Sequence, residues 1–229
     1  MPSTPTEPPV PLALIQLIDS AAPTGAFSHS FGLETAISDQ RVRDADSCGC
    51  WLRRLVHGSL ARTDALAIRC LMRREVPLTE LDTLLRVSTA PIQVRRAQTT
   101  IGRRMLTLAD TCFPTPGTAA YAAEVAAGRA TGQAALVLAT LGTDLGLSWP
   151  TVARLSLHST LSSLVGNAVR AVPLGQNAGQ RVLAGLHPDI EQAVQTAATA
   201  GIDELGATDP ALEIDQMRHA YQLTRMFMS

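Results

Sequence analysis

The chain has 229 residues and a formal net charge of −1 at pH 7, which argues against a nucleic-acid-binding protein, because such proteins neutralise phosphates. Hydrophobic residues make up 46% of it but aromatic residues only 3%, so its core must rest on Ala, Leu, Val and Ile, which favours helices. No uninterrupted apolar stretch approaches the ~20 residues of a membrane-spanning helix, and we therefore expect no membrane partner.

The N-terminus and the cysteines indicate a cytoplasmic protein. Residues 1–11 are Pro-rich, lack the features of a signal peptide and are predicted to be a disordered tail. The spacing of the four cysteines matches no zinc-binding pattern, so we expect reduced thiols. Whether Cys48 and Cys50 bind a metal stays open, because thiolates bind soft metals but these two would lie about 200° apart on a helix.

Helical periodicity begins at Leu12 and stops at Pro23 and Gly25. A second helix is predicted to start at Ser28 or Ser30. The following helices are expected at 48–62, with an acidic cap at Asp44 or Asp46, and then at 63–76, 79–90 with Thr79 as N-cap, and 91–110. The stretch "FPTPGT", residues 113–118, is predicted to be a loop.

The second half of the chain continues in the same pattern. Helices are predicted at 119–128, 132–147, 150–172, from Gln176 to a break at "LHPD", at 190–200 and at 211–229. Residues 132–147 are apolar on most faces, which predicts a central buried helix. No alternating strand pattern occurs, so the expected fold is all-α: a single irregular helical-bundle domain of about ten helices over residues 12–204. Residues 205–229 are expected to form a linker and a C-terminal helix.

The strongest candidate for chemistry is the Ser28-His29-Ser30 cluster, but sequence neighbours on a helix point to different sides, and serines here are expected to cap a helix. His29 and Glu34 would lie about 140° apart on a helix, which is poor for shared metal ligation. Asp215 and His219 share one helical face, where an exposed ion pair is the better expectation. An enzyme, a metal-dependent hydrolase using His29, Glu34 and His219, is kept as the alternative function.

Three stretches have a mixed character that a core alone does not require: residues 14–34, 167–183 and 214–229. We call them the opening stretch, the middle stretch and the C-terminal stretch. Together they resemble the urease accessory protein UreF family. The motif of the opening stretch is matched by Leu14, Gln16, Leu17, Asp19, Ser20, Pro23, Gly25, Phe27, Ser30, Gly32, Leu33 and Glu34. The middle stretch matches through Val169, Arg170, Pro173, Leu174, Gly175, Gln176, Gly179, Gln180, Arg181 and Leu183.

The C-terminal stretch matches the family pattern in part. The agreeing residues are Met217, Arg218, His219, Gln222, Arg225, Phe227 and Ser229. The sequence departs from the pattern at Ala220, Met226 and Met228. Its apolar side chains are expected either to be covered by a partner or to dock onto the chain's own domain, and the sequence leaves these alternatives open.

The resemblance implies an all-α, nonenzymatic chaperone of urease maturation that forms a homodimer. It also implies binding to the accessory protein UreD, also called UreH, and through it to the GTPase UreG, which delivers nickel to apo-urease. It implies no resident cofactor or metal, with nickel handled transiently in the complex. The residues expected to bind partners are Asp19, Ser20, Pro23, Gly25, Phe27, Ser28, His29, Ser30, Gly32, Glu34, Arg170, Pro173, Leu174, Gly175, Gln176, Arg218, His219, Tyr221, Arg225, Phe227 and Ser229.

Overall fold

A computed structural model describes residues 10–229, and the predicted disordered tail lies almost entirely outside this range. The described chain is all-α and forms one domain without strands, as predicted. Its α-helices are α1 Leu12–Ile18, α2 Leu33–Ser38, α3 Ala45–Leu55, α4 Leu66–Met72, α5 Leu78–Ser88, α6 Ile92–Cys112, α7 Pro116–Ala126, α8 Ala134–Asp144, α9 Trp149–Ala171, α10 Gln176–Gly185, α11 His187–Thr199 and α12 Pro210–Arg218. None of them combines the length and apolar character needed to cross a bilayer.

Side-chain caps explain several helix starts. Asp44 accepts a hydrogen bond from the backbone N–H of Ser47 and caps α3, as predicted. Thr115 caps α7 together with Thr118, so the helix begins at Pro116 and the predicted loop at 113–118 is shorter than expected. The prediction of Thr79 as an N-cap is wrong, because α5 already begins at Leu78 after Pro77.

Residues 45–72 form one continuous helix rather than the two predicted. Its central part, Val56–Ala65, is a π-helix, and the backbone stays right-handed helical at both junctions. The carbonyl groups of Gly58 and Arg62 accept hydrogen bonds from the backbone N–H groups of Thr208 and Gly206, at 2.7 and 3.1 Å. The link before α12 is therefore fastened to the π-helix. Long π-helical segments are rare and are often found at functional sites.

The centre of the domain is α8, in which residues 135–142 are all buried against α4, α6, α7 and α9. This confirms the predicted central helix. Beside it, the fully buried Asp82 carboxylate accepts hydrogen bonds from the Tyr121 hydroxyl at 2.6 Å, from Thr131 N–H and hydroxyl at 2.7 Å each, and from Gly132 N–H at 3.0 Å. We call these four residues the Asp82 cluster. It satisfies the polar groups that the loop before α8 brings into the core.

The C-terminal stretch is less helical than predicted. Helix α12 ends at Arg218, a single 3-10 turn covers His219–Tyr221, and the backbone is extended at Gln222. The expected helix over 211–229 is therefore wrong beyond Tyr221. The reason is that the backbone groups of residues 226–229 form hydrogen bonds with the opening stretch instead of within a helix of their own.

Candidate partner-binding surface

The opening stretch changes direction twice between α1 and α2. A short 3-10 helix covers Ala26–Ser28, and Phe31 and Gly32 have φ values of 50° and 92°. A Cβ atom at position 32 would lie 3.1 Å from the backbone nitrogen of Gln216, so glycine permits both the left-handed turn and the close approach of α12. The prediction of a helix from Ser28 or Ser30 is wrong, because α2 begins at Leu33.

Glu34, in the first turn of α2, binds the C-terminal stretch at three points. Its Oε1 accepts the Met226 N–H at 2.6 Å, and its Oε2 accepts the Phe227 N–H at 3.2 Å. The same Oε2 lies 2.7 Å from Nε2 of His219, which is fully buried. Hydrogen bonds to an ionised carboxylate are stronger than those between neutral groups, so Glu34 anchors the C-terminal stretch.

Ser30 binds the last residue of the chain instead of capping a helix. Its hydroxyl donates to the Ser229 carbonyl oxygen at 2.7 Å, and the N–H groups of Ser30 and Phe31 point to the same oxygen. The Ser229 hydroxyl lies 2.8 Å from Nδ1 of His29. The expected capping role of these serines is therefore wrong, because α2 begins only at Leu33 and has no side-chain cap.

The middle stretch joins the other two through α9. The side-chain amide of Asn167 donates to the His29 carbonyl oxygen at 2.7 Å, and the Arg170 guanidinium donates to the Phe27 carbonyl oxygen at 2.8 Å. The guanidinium also stacks over the rings of Phe27 and Phe227, 5.8 and 5.4 Å from their centroids. One arginine thus contacts both the opening and the C-terminal stretches.

Two ion pairs fasten α12 to the turn after α2. Arg41 binds Asp215 through two hydrogen bonds of 2.8 and 2.7 Å, and Arg218 binds Asp39 at 2.7 and 3.2 Å. These arginines hold the pKa of the Asp39 carboxyl below its usual value, with Arg218 as the largest cause. The expected ion pair between Asp215 and His219 is wrong, because Asp215 pairs with Arg41 and His219 with Glu34.

The residues expected to bind partners separate into buried and exposed groups. The buried ones are Gly25, His29, Ser30, Gly32, His219, Phe227 and Ser229. Ser28, Glu34 and Leu174 are partly exposed. The exposed ones are Asp19, Ser20, Pro23, Phe27, Arg170, Pro173, Gly175, Gln176, Arg218, Tyr221 and Arg225. The three stretches meet around Arg170 and Glu34, whereas Asp19 and Ser20 line a cavity that Phe27 also borders.

Sequence reasoning missed two residues that organise this region, Asn167 and Arg41. Asn167 is fully buried on α9, and a polar residue within the apolar run around it was the available signal. Arg41 lies just after α2, and nothing in the sequence linked it to Asp215, 174 positions later.

Four apolar side chains within residues 221–229 of the C-terminal stretch remain exposed, as does Phe27 of the opening stretch. Tyr221 is 86% exposed, Leu223 fully exposed, Met226 62% and Met228 67%. Met228 lies next to Phe27, because its N–H donates to the Ser28 carbonyl oxygen at 2.8 Å. We call these five residues the tail surface. The expectation of docking onto the chain's own domain is met for Phe227, which is buried, whereas coverage of its exposed neighbours by a partner stays a prediction.

The residues of the alternative metal-dependent hydrolase are engaged with the protein itself. Glu34 and His219 bind each other, and His29 faces Ser229. Burial lowers the pKa of His29, and the nearby charges of Arg104 and His219 lower it further. Within residues 10–229, no group of three His, Cys, Asp or Glu side chains is placed to hold a metal ion.

The two cysteines considered as metal ligands point away from each other on α3. Cys48 is fully buried, whereas Cys50 is exposed. Burial raises the pKa of the Cys48 thiol to about 11, which disfavours the thiolate that a metal needs.

Comparison with known proteins gives one family. The UreF family model matches residues 42–187. The protein of Arthrobacter sp. (strain FB24) named Urease accessory protein UreF is 46% identical over 218 residues, which covers 95% of this chain and 96% of that protein. Proteins of the same name from Paenarthrobacter aurescens (strain TC1) and Bacillus sp. (strain TB-90) are 42% and 36% identical, each over 95% of this chain. The chain belongs to the urease accessory protein UreF family.

Proposed function

We propose that this urease accessory protein is a nonenzymatic scaffold that binds a UreD/UreH-type accessory protein through its tail surface. Through that partner it recruits the UreG-type GTPase to apo-urease during nickel insertion. One observation carries the proposal: Tyr221, Leu223, Met226 and Met228 are held in exposed positions on a segment that is itself fastened to the domain. Apolar groups held together at the surface are typical of sites that another protein covers.

Other motif residues support this surface without touching a partner themselves. Glu34 fixes the backbone at Met226 and Phe227, and Ser30 fixes Ser229. Holding the segment in place before binding lowers the conformational entropy that association costs. The motif residues thus have two roles, in which Glu34, Ser30 and Arg170 position the segment and the tail surface makes the contact.

The test is co-purification of the full-length chain with a UreD/UreH-type protein. A triple variant, Tyr221→Ser, Leu223→Ser and Met226→Ser, should weaken the complex at least tenfold, because apolar anchors dominate the free energy of such interfaces. Its circular dichroism should match that of the unchanged chain, since these side chains are exposed.

The matched control is Leu12→Ser, which replaces another exposed apolar side chain, on α1, a helix that packs on α6, α8 and α9. It should leave the complex intact. Equal binding by the triple variant and the unchanged chain would exclude the tail surface as the contact. Removal of residues 222–229 should also abolish the complex. The truncation leaves α12 in place, because Leu212 and Asp215 of this helix are buried in the domain.

We also propose that the scaffold works as a homodimer in the cytoplasm and handles nickel only transiently, without a resident cofactor. The family assignment supports these expectations, and sedimentation analysis of the purified chain, alone and with its partner, tests the dimer. A monomer in both samples would contradict it. Urease activation in cells that carry the triple variant should fall in parallel with the loss of the complex.

A further inference from the structure

A cavity of about 120 Å³ lies inside the domain, between the opening stretch, the π-helix, α6 and α9. Exposed Asp19, Ser20 and Phe27 also line it, so it reaches the surface. It is large enough for several water molecules or one small organic molecule. Much of its wall is apolar, from Leu55, Leu60, Ile101, Met105 and Leu138.

Asp64 is a carboxylate of this wall, which Asp19 and Glu213 also line. The π-helix carries it inward together with Ser59 and Thr63, and the Thr63 hydroxyl lies 2.8 Å from one carboxylate oxygen. No arginine or histidine within residues 10–229 forms an ion pair with it. Burial raises the pKa of the Asp64 carboxyl above its usual value. A partly buried carboxylate that faces a largely apolar cavity without a cationic partner is costly, and proteins seldom keep one without use.

Helix α9 also places hydroxyl groups in the wall of the cavity. Ser156, Thr160 and Ser163 line it, and their hydroxyls make no hydrogen bond to another part of the described chain. Serine and threonine in a helix commonly bond to the carbonyl group four residues earlier, as Thr140 does at 2.7 Å. The unused hydroxyls on α9 are therefore free to accept or donate within the cavity.

This combination fits an organic cation better than a metal ion. Divalent metal ions need several oxygen or nitrogen ligands in place of their water shell, and no suitable group of three acidic, histidine or cysteine side chains exists among the described residues. Ammonium and guanidinium groups need only one carboxylate and a few hydroxyls, and an attached alkyl group gains from apolar walls.

We propose that the cavity binds a small organic cation, an alkylammonium or alkylguanidinium ion, with Asp64 as its counter-ion. The N–H groups donate to the Asp64 carboxylate and to the hydroxyls of α9, while the alkyl part packs against Leu60, Met105 and Leu138. Asp64 and the α9 hydroxyls do not belong to the tail surface, which shares only Phe27 with the cavity wall.

The test is a titration of the full-length protein with n-propylammonium and with methylguanidinium, followed by NMR of the Met105 methyl group, which lines the cavity. Saturable shifts of this signal at one site are expected. Asp64→Asn, which keeps the shape and removes the charge, should weaken binding at least tenfold, and the neutral analogue 1-propanol should bind at least tenfold more weakly than n-propylammonium.

Asp46→Asn is the matched control, because it removes the same charge from an exposed position on α3 and should leave binding unchanged. If Asp64→Asn does not fold, Thr160→Val serves in its place, since it removes one cavity hydroxyl at nearly constant volume and should weaken binding about threefold. The proposal fails if the Met105 signal does not saturate, if Asp64→Asn or Thr160→Val binds as well as the unchanged protein, or if Mg²⁺ or Ni²⁺ alone saturates the same site more tightly than the organic cations.

Discussion

The Asp82 cluster and the contacts of the C-terminal stretch are both polar, yet they fasten very different parts of the molecule. Asp82 is fully buried and joins α5 to the loop before α8, inside the core. The contacts between residues 27–34 and 219–229, which we call the tail seam, hold a segment with exposed residues between its buried ones. We therefore expect the cluster to open only together with its surroundings and the seam to open by itself.

The Asp82 cluster therefore serves the stability of the domain, whereas the tail seam serves the proposed binding of a partner. Local opening costs less free energy than global unfolding where few apolar side chains are buried, and the segments that bind partners come from that end of the range. Of residues 219–229, Phe227 is the one buried apolar side chain, and the other contacts of this segment are made by charged, polar and backbone groups. Mutations should therefore have a large effect on stability in the cluster and a limited one in the seam.

The largest effect is expected from Asp82→Ala. It leaves the Tyr121 hydroxyl and the N–H groups of Thr131 and Gly132 buried without their acceptor. We expect the free energy of unfolding to fall by about 3–5 kcal/mol, the range for breaking a buried charged network. Chemical denaturation followed by circular dichroism measures it.

The companion variant Tyr121→Phe keeps the ring in the core and removes one hydroxyl. It should cost about 1–3 kcal/mol, since Asp82 keeps its other donors while the Gln133 N–H loses the hydroxyl that it binds at 2.7 Å. An Asp82→Ala variant that is no less stable than Tyr121→Phe would show that the carboxylate does not organise this part of the core.

A smaller effect is expected from Glu34→Ala and Phe227→Ala in the seam. Truncating a buried phenylalanine costs about 3–5 kcal/mol in a rigid core, but here the segment can detach and limit the loss to about 1–3 kcal/mol. Once either variant has detached it, the second substitution adds nothing. The double variant should therefore be about as stable as the less stable single one.

Chemical denaturation of the two single variants and the double variant measures whether the loss of stability is limited in this way. Amide exchange at Met226 and Phe227 shows whether this segment is the part that detaches. These N–H groups bind Glu34 and should exchange faster in all three variants, while amides of α8 stay protected. Fully additive losses would mean that the seam unfolds only together with the core.

The sequence predicted the parts of the fold that rest on local rules. Periodicity located α8 and the break between α10 and α11, and the Asp44 cap was visible before α3. The extent of the last helix was not predictable, because residues 211–229 have helical spacing and their competing partners, Glu34 and Ser30, lie almost 200 positions earlier.

In the candidate site, too, the residues could be predicted but their long-range contacts could not. The family resemblance named Glu34, Arg170 and His219, and the structure brings all three stretches together, but the pairing of Glu34 with His219 depends on long-range packing. The left-handed turn at Phe31 was equally hidden, since only the glycine after it signals such a turn. Single-sequence patterns do not contain those contacts.

The smallest expected effect is a loss of stability of the tail seam at acid pH, caused by protonation of His29. Its pKa is lowered in the folded chain, mainly by burial, so the unfolded chain binds the proton more readily below the ordinary value of 6.5. The contribution of this ring to stability is complete above pH 6.5 and is lost as the pH falls towards its folded pKa. Protonation would also place a positive charge near the Arg104 guanidinium.

Amide exchange at Phe31, whose N–H donates to the Ser229 carbonyl oxygen at 3.0 Å, should therefore lose protection between pH 7 and pH 5.5, after correction for the intrinsic rate. His29→Gln should flatten this dependence. His158 has a pKa lowered by burial as well, but it lies on α9 beside His187, so His158→Gln should leave the Phe31 profile unchanged. If the His29→Gln profile were as steep as that of the unchanged chain, another group would open the seam in acid, and His29 would serve only as a packed partner of Ser229.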